Sequence, residues 1–176
     1  MNQRFSKLVS AVFLAGTALI AGCASYSGSS LQPGIASLPE VLATMGEPAM
    51  RWNNSDGSWQ LAYPRGPFGT QTFMVYLGAD QKLLHIDKVL EMDVFARIRV
   101  GMGKEEVLRL IGPPQPQETQ YFKARDELAW SWLFCDSWNG QAFLDVLFDA
   151  TSGTVRSTGQ RQNLVGRDGV APDCSH

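Results

Sequence analysis

The sequence predicts an α+β protein of two tandem repeats, each a short helical hairpin followed by about three antiparallel strands. Three observations carry that reading. Glu40, Val41, Leu42, Gly46 and Pro48 recur sixty-six positions later as Glu106, Val107, Leu108, Gly112 and Pro114. After each copy the apolar period changes to two: Trp59, Leu61, Tyr63 then Phe73, Val75, Leu77, and later Trp130, Trp132, Phe134 then Leu144, Val146, Phe148. The 176 residues are 44% hydrophobic and 18% charged, with a net charge of -2, so the chain can bury a core and is not disordered over most of its length.

Residues 1–22 stand apart from the fold. Arg4 and Lys7 precede an apolar run over 8–21, the pattern of a secretory signal peptide and shorter than the ~20 residues that span a bilayer. Leu19, Ile20, Ala21 and Gly22 before Cys23 resemble the bacterial lipobox, which implies cleavage there and acylation of Cys23, palmitate included. The other reading is ordinary cleavage with Cys23 as a bystander. Ala24 rather than Asp follows, and in lipoproteins of diderm bacteria this implies the outer membrane, facing the periplasm. The three acyl chains of such lipoproteins suffice for a firm anchor, since a single chain binds only marginally.

The expected mature chain is then 23–176, with a lipidated flexible tether over 23–34, a first, degenerate repeat over 35–91, a second over 92–160 and a tail over 161–176. Ser37 and Glu40 have capping-box spacing, Val41, Leu42 and Met45 form one apolar face, Gly46 suits a left-handed helix end, and Pro48 stops continuation. The second copy has Gly103 at the cap, a permitted but weaker choice. At an offset of 71 the paired strands of the two halves superimpose, and Pro64 to Gly69 and Cys135 to Gly140 read as the hairpin loops between them. Further strands over 83–90 and 154–159 complete each half.

Export changes the meaning of the cysteines. With Cys23 acylated, Cys135 and Cys174 form an even pair in an oxidising compartment, and a disulfide is the simplest account, two free thiols being the alternative. No histidine is near Cys135 in sequence, and Asp136 beside it opposes thiolate formation, so a nucleophile is not indicated.

Composition excludes further classes. Arg51, Arg65, Lys82, Lys88, Arg97 and Arg99 are scattered among acids rather than gathered into a basic face, which argues against nucleic acid. His85 and His176 are the two histidines, and no nucleophile with a base, phosphate loop or paired His/Cys ligand spacing occurs, so neither an enzyme nor a cofactor or metal is expected. Asp145 and Asp149 lack a convergent set of oxygen ligands for calcium, and His85 reads as one polar position of a strand.

Aromatic residues are the candidates for binding. Trp59, Trp130 and Trp132 read first as core between helices and sheet, with a binding platform as the alternative. Phe68 and Trp138 occupy matching places in the two hairpin loops, where a large aromatic gains little unless it folds back or meets a partner, so both are candidate partner contacts.

The run from Asp93 through Ile98, Arg99, Val100, Gly101, Met102, Val107 and Gly112 to Pro114, with the Trp130/Trp132 strand and residues 144–149, resembles the SmpA/OmlA (BamE-like) outer-membrane lipoprotein family. The resemblance covers about 93–160, with 34–90 as a degenerate second copy. It implies a small periplasm-facing lipoprotein, an accessory or scaffold component that accompanies the machinery folding β-barrels into the outer membrane. The doubled arrangement also resembles the β-lactamase inhibitor protein-like fold, which implies a periplasmic protein-binding or inhibitory module gripping its partner on a concave sheet.

Overall fold

A computed structural model describes residues 27–66, 68–165 and 169–174. The signal segment, the lipidation candidate Cys23 and His176 lie outside the described residues. The architecture is α+β, with two four-stranded antiparallel sheets and few helices. Helix α1 (Leu38–Met45) precedes a sheet of β1 (Met50–Asn53), β2 (Trp59–Pro64), β3 (Thr72–Leu77) and β4 (Leu83–Lys88), hydrogen-bonded in that order. The one-turn α2 (Met92–Phe95) and α3 (Lys104–Ile111) precede β5 (Gln120–Phe122), β6 (Glu127–Cys135), β7 (Gln141–Asp149) and β8 (Val155–Gln162), again in sequence order.

The two eight-residue helices begin alike. The Glu40 carboxylate accepts the Ser37 N–H and Oγ–H, both at 2.7 Å, and Glu106 accepts the Gly103 N–H at 2.7 Å. The two N–H bonds each satisfy a main-chain donor that a helix start leaves unpaired. Both helices also end alike, and not in the left-handed turn expected for Gly46. Gly46 has φ 83°, ψ -165° and Gly112 has φ 77°, ψ -171°. This mirror-extended region is open essentially to glycine alone, and it sends the chain straight away from the helix instead of curling it back.

Val41 and Met45 of α1 pack on Leu61, Tyr63, Phe73, Val75 and Leu77, one face of the first sheet. The other face carries Trp52, Ala62 and Met74 into a second core with Val107 and Ile111 of α3 and Trp132, Phe134, Leu144, Val146 and Phe148 of the second sheet. Helix α3 therefore has a sheet on each side. Gln60, 6% exposed, donates through Nε2 to the Arg109 carbonyl at 2.6 Å, the Trp52 indole N–H donates to Glu105, and Arg109 Nη1 donates to Asn54 at 2.8 Å.

Each sheet has four strands where about three were expected, because β1 and β5 are only four and three residues long and present no periodicity. Among the described residues two α-helical segments in succession, the one-turn α2 and then α3, precede the second sheet alone, where a helical hairpin was expected before each. In the first half the described residues before α1 form turns, with the Leu31 N–H donating to Gly28 at 2.9 Å and Ala36 to Gln32 at 2.9 Å, where Pro33 and Gly34 oppose a helix. Leu31 packs on the first core and the Gly34 N–H donates to Leu83 at 2.7 Å.

Strand register corrects the uniform offset of 71. Tyr63 pairs with Phe73 and Leu61 with Val75, whereas Trp132 pairs with Leu144 and Trp130 with Val146. At an offset of 71 Tyr63 and Phe73, which pair, would map onto Phe134 and Leu144, which do not. The β6–β7 ladder instead runs through Phe134 with Ala142 and Cys135 with Gln141.

Candidate protein-docking site

The β2–β3 hairpin loop shares a hollow with the start of β7 and the C-terminal tail. The hollow, of about 400 Å³, is lined by Arg65, Gly66, Phe68, Gly69 and Thr70 of this first loop, and by Gln141, Asp173 and Cys174 beside the second, β6–β7, loop. Phe68 is 76% exposed and Trp138 89% exposed, so neither folds back onto the core. A Cβ at Gly69 would lie 1.8 Å from the Arg65 carbonyl oxygen, so only glycine lets the first loop close this tightly next to Phe68.

The second loop is braced by groups that sequence reasoning missed. Asp136 Oδ1 accepts the main-chain N–H groups of Trp138 and Gly140, each at 2.9 Å, and Oδ2 accepts Gln162 Nε2 at 2.9 Å. These bonds to the ionised form, the Gln162 amide first and the Gly140 N–H next, hold the Asp136 carboxyl below its ordinary range. An Asp opening a tight turn ahead of Asn139 and Gly140 is the sequence signal that would have identified it. Cys135 and Cys174 are joined in a disulfide with Cα atoms 6.0 Å apart. The tail runs beside the loop, since the Gln141 N–H donates to Pro172 at 2.7 Å and the Cys174 N–H to Asn139 at 2.9 Å.

The remaining tryptophans are structural. Trp132 is 1% exposed, its indole N–H donating to the Gly112 carbonyl at 3.2 Å. Trp130 packs edge-on against Phe148 at 4.8 Å, and Trp59 rests on the first core. Trp52, which the strand pattern did not single out, is buried at the junction with α3. His85 stacks on Tyr76 with ring centroids 4.4 Å apart.

The outer face of the second sheet carries a polar hollow of about 540 Å³. Its charges serve one another: Arg161 Nε donates to Asp145 at 2.9 Å and Nη2 to Glu118 at 3.0 Å, while Ser131 Oγ donates to Asp145. Asp149 accepts the Ser152 N–H at 2.7 Å and pairs with Arg156, which together hold its carboxyl down to about 2. Among the described residues no group of three or more His, Cys, Asp or Glu side chains is placed to hold a metal, and no helix is long and apolar enough to cross a membrane.

No protein-family profile matches the chain, and no curated protein sequence matches it. Among solved structures, an extracellular protein containing an SCP domain from Bacillus anthracis str. Ames aligns over 92% of this chain at 13% identity, with a TM-score of 0.30. The chain spans 50% of that structure's length.

Proposed function

We propose that the protein is a non-enzymatic outer-membrane lipoprotein, anchored through Cys23 and facing the periplasm, that docks a protein partner as an accessory subunit of β-barrel assembly. The observation that carries the docking part is a pair of exposed aromatics on braced loops: Phe68, which lines the hollow next to Gly69, and Trp138, on the loop held by Asp136 and the Cys135–Cys174 bond. An aromatic kept out of the core on a braced loop loses little conformational freedom on meeting a partner, which is the property of an interface anchor. The lipobox resemblance supports the location and the SmpA/OmlA resemblance supports the assembly role.

The two halves are read as copies of one unit. In support, the residue before each long helix bridges to the turn or strand start of its own sheet, Ser37 with Lys82 and Gly103 with Thr154. The strand aromatics Tyr63 and Trp132 each donate to the carbonyl of the glycine that ends the helix, at 3.2 Å in both halves. The inhibitory-module reading, in which the concave outer sheet binds a soluble enzyme, draws on the polar hollow. Its Arg161, Asp145 and Glu118 are already paired with one another, which favours the loop end.

The test is mild-detergent purification of the tagged lipoprotein from its native envelope, with co-purifying proteins identified by mass spectrometry. Recovery of the β-barrel assembly machinery, lost in a Phe68→Ala/Trp138→Ala variant, is the expected result. A different stoichiometric partner would overturn the assembly role, and a partner unaffected by the double variant would overturn the docking site.

A further inference from the structure

Next to the loop end lies a second cavity of different chemistry. It measures about 320 Å³ and is lined by Pro64, Leu90, Pro113, Pro116, Trp132 and Leu133, together with Gln115 and the Gly66 and Gly69 backbone of the first hairpin loop. Among the described residues no Lys, Arg, Asp or Glu lines it. A charged group entering it would lose its hydration without gaining a counter-charge, so the occupant is neutral and mostly apolar. The volume is at the lower end for a small-ligand site, enough for one apolar group and its attachment rather than for a long chain.

One hydrogen-bond donor in that lining has nothing to do. Gln115 is 8% exposed, and its side-chain Nε2 has no partner among the described residues. Its main chain is fixed, the Gln115 N–H donating to the Ser131 carbonyl at 3.0 Å, and the Trp132 indole N–H is already committed to Gly112. A buried amide donor without an acceptor is a costly arrangement that folded proteins rarely retain. The last torsion of a glutamine is soft, so turning it presents Nε2 to the cavity without disturbing the main-chain bond.

We infer that this cavity receives an apolar side chain of a partner polypeptide, with Gln115 Nε2 donating to the main-chain carbonyl beside that side chain. The inference rests on the protein-docking reading and deepens it. An acyl chain is the rival occupant, and the surroundings disfavour it. The cavity shares Gly66 and Gly69 with the hollow lined by Arg65, Phe68 and Asp173, so whatever leaves the cavity enters a partly polar surface at once. A peptide alternates apolar side chains with polar main chain over a few ångströms and suits that junction, whereas a hydrocarbon chain would lay its remainder against polar groups.

The experiment uses the exported chain, 23–176, with Cys23→Ser so that it stays out of micelles, and with the disulfide intact. N-acetyl-leucine methylamide is titrated while the NMR signals of the Gln115 side-chain amide and the Trp132 indole N–H are followed. Saturable shifts of both are expected, with a dissociation constant of about 1–10 mM for a probe this small. N-acetyl-serine methylamide should bind at least about tenfold more weakly, because its hydroxymethyl group buries far less apolar area against a mostly apolar wall. Gln115→Met, which keeps the length and removes the donor, should weaken the leucine probe by about fivefold or more, with an unchanged or raised thermal midpoint.

Three results would overturn the inference: methyl octanoate binding more tightly than the leucine probe, Gln115→Met binding that probe as well as the unaltered chain, or saturating probe shifting neither signal. The titration needs no partner, so its failure counts against the cavity alone. Failure of the unaltered lipoprotein to capture any envelope protein counts against the docking reading alone.

Discussion

The indole N–H of Trp132 donates to the carbonyl oxygen of Gly112 at 3.2 Å, tying the end of α3 to the middle of the second sheet. The bond is available because Gly112, with φ 77° and ψ -171°, turns the chain out of the helix towards β6 without a side chain in the way. A Cβ there would come within 2.8 Å of Thr72 Cγ2, on the first sheet. One glycine thus lets a helix end lie between two sheets.

Gly112→Ala should destabilise the fold by about 2–4 kcal/mol, because it adds steric collision to a backbone conformation that alone costs an L residue about 1–3 kcal/mol. Gly46→Ala is the internal control, since φ there is also positive but a Cβ meets nothing within 4 Å. Urea unfolding of both variants should put Gly112→Ala clearly below Gly46→Ala. Equal losses would mean that the close approach to Thr72 is relieved at no cost.

Gln60→Leu tests whether the halves unfold together. Gln60 Nε2 reaches across from β2 to the Arg109 carbonyl of α3. Its loss leaves a part-buried carbonyl unpaired, and the expected cost is about 1–2 kcal/mol. Because the core is continuous from Ala62 and Met74 to Val107 and Trp132, the whole midpoint should shift as one transition. Two separated transitions in the variant would show that the halves are independent.

Much of this was legible in the sequence, and what was not has a physical reason. Ser37 to Pro48 and Gly103 to Pro114 carry start and stop signals within twelve residues, and both helices are where those signals put them. The strands β2, β3, β6 and β7 show their period. The failure of one uniform offset was hidden because alternation is the same at either offset, and only the pairing partners show that Phe134 meets Ala142 rather than Leu144. Trp52 takes its role from Glu105 on a distant helix, and Gln115 sits in a proline-rich run that reads as loop. Neither leaves a local pattern.

Removing the disulfide through Cys174→Ser should lower stability by about 3–4 kcal/mol on the chain-entropy account, given the 39-residue separation of the two cysteines. The tail also contributes the hydrogen bonds from Gln141 to Pro172 and from Cys174 to Asn139. Amide exchange in the loop over 136–140 should therefore accelerate more than exchange in β6. Uniform acceleration would mean that the bond stabilises the molecule without bracing the Trp138 loop in particular.

Stability should fall on acidification. The Asp149 carboxyl is held at about 2 against an ordinary 3.8 by the Ser152 N–H and the Arg156 guanidinium, and Asp136 is lowered by Gln162 and Gly140. A group with a depressed folded-state value stabilises fully above its unfolded value, and the contribution disappears as pH falls through the folded one. Denaturant midpoints should thus be level above about pH 5 and decline from about pH 4 towards pH 2. Asp149→Asn should flatten that decline, and an unchanged pH profile in the variant would show that Asp149 does not contribute to it.

Phe68→Ala and Trp138→Ala should separate binding from folding. Both side chains are mostly exposed, at 76% and 89%, and neither belongs to either hydrophobic core. Truncation of an exposed side chain outside the core ordinarily changes stability by about 0.5 kcal/mol or less, whereas loss of an aromatic anchor from an interface costs about 2 kcal/mol or more, a factor of about 30 in affinity. The two substitutions should accordingly leave the unfolding midpoint in place and reduce capture of the envelope partner, each alone and further in combination. Tyr63→Phe provides the opposite case: it removes a buried hydroxyl from the Gly46 carbonyl at a residue that lines neither hollow of the loop end, so it should lower the midpoint, with partner capture falling only in proportion to the folded fraction. If the loop variants instead lost stability and capture together, Phe68 and Trp138 would be packing residues, and the exposed loop end would have no claim to be the docking surface.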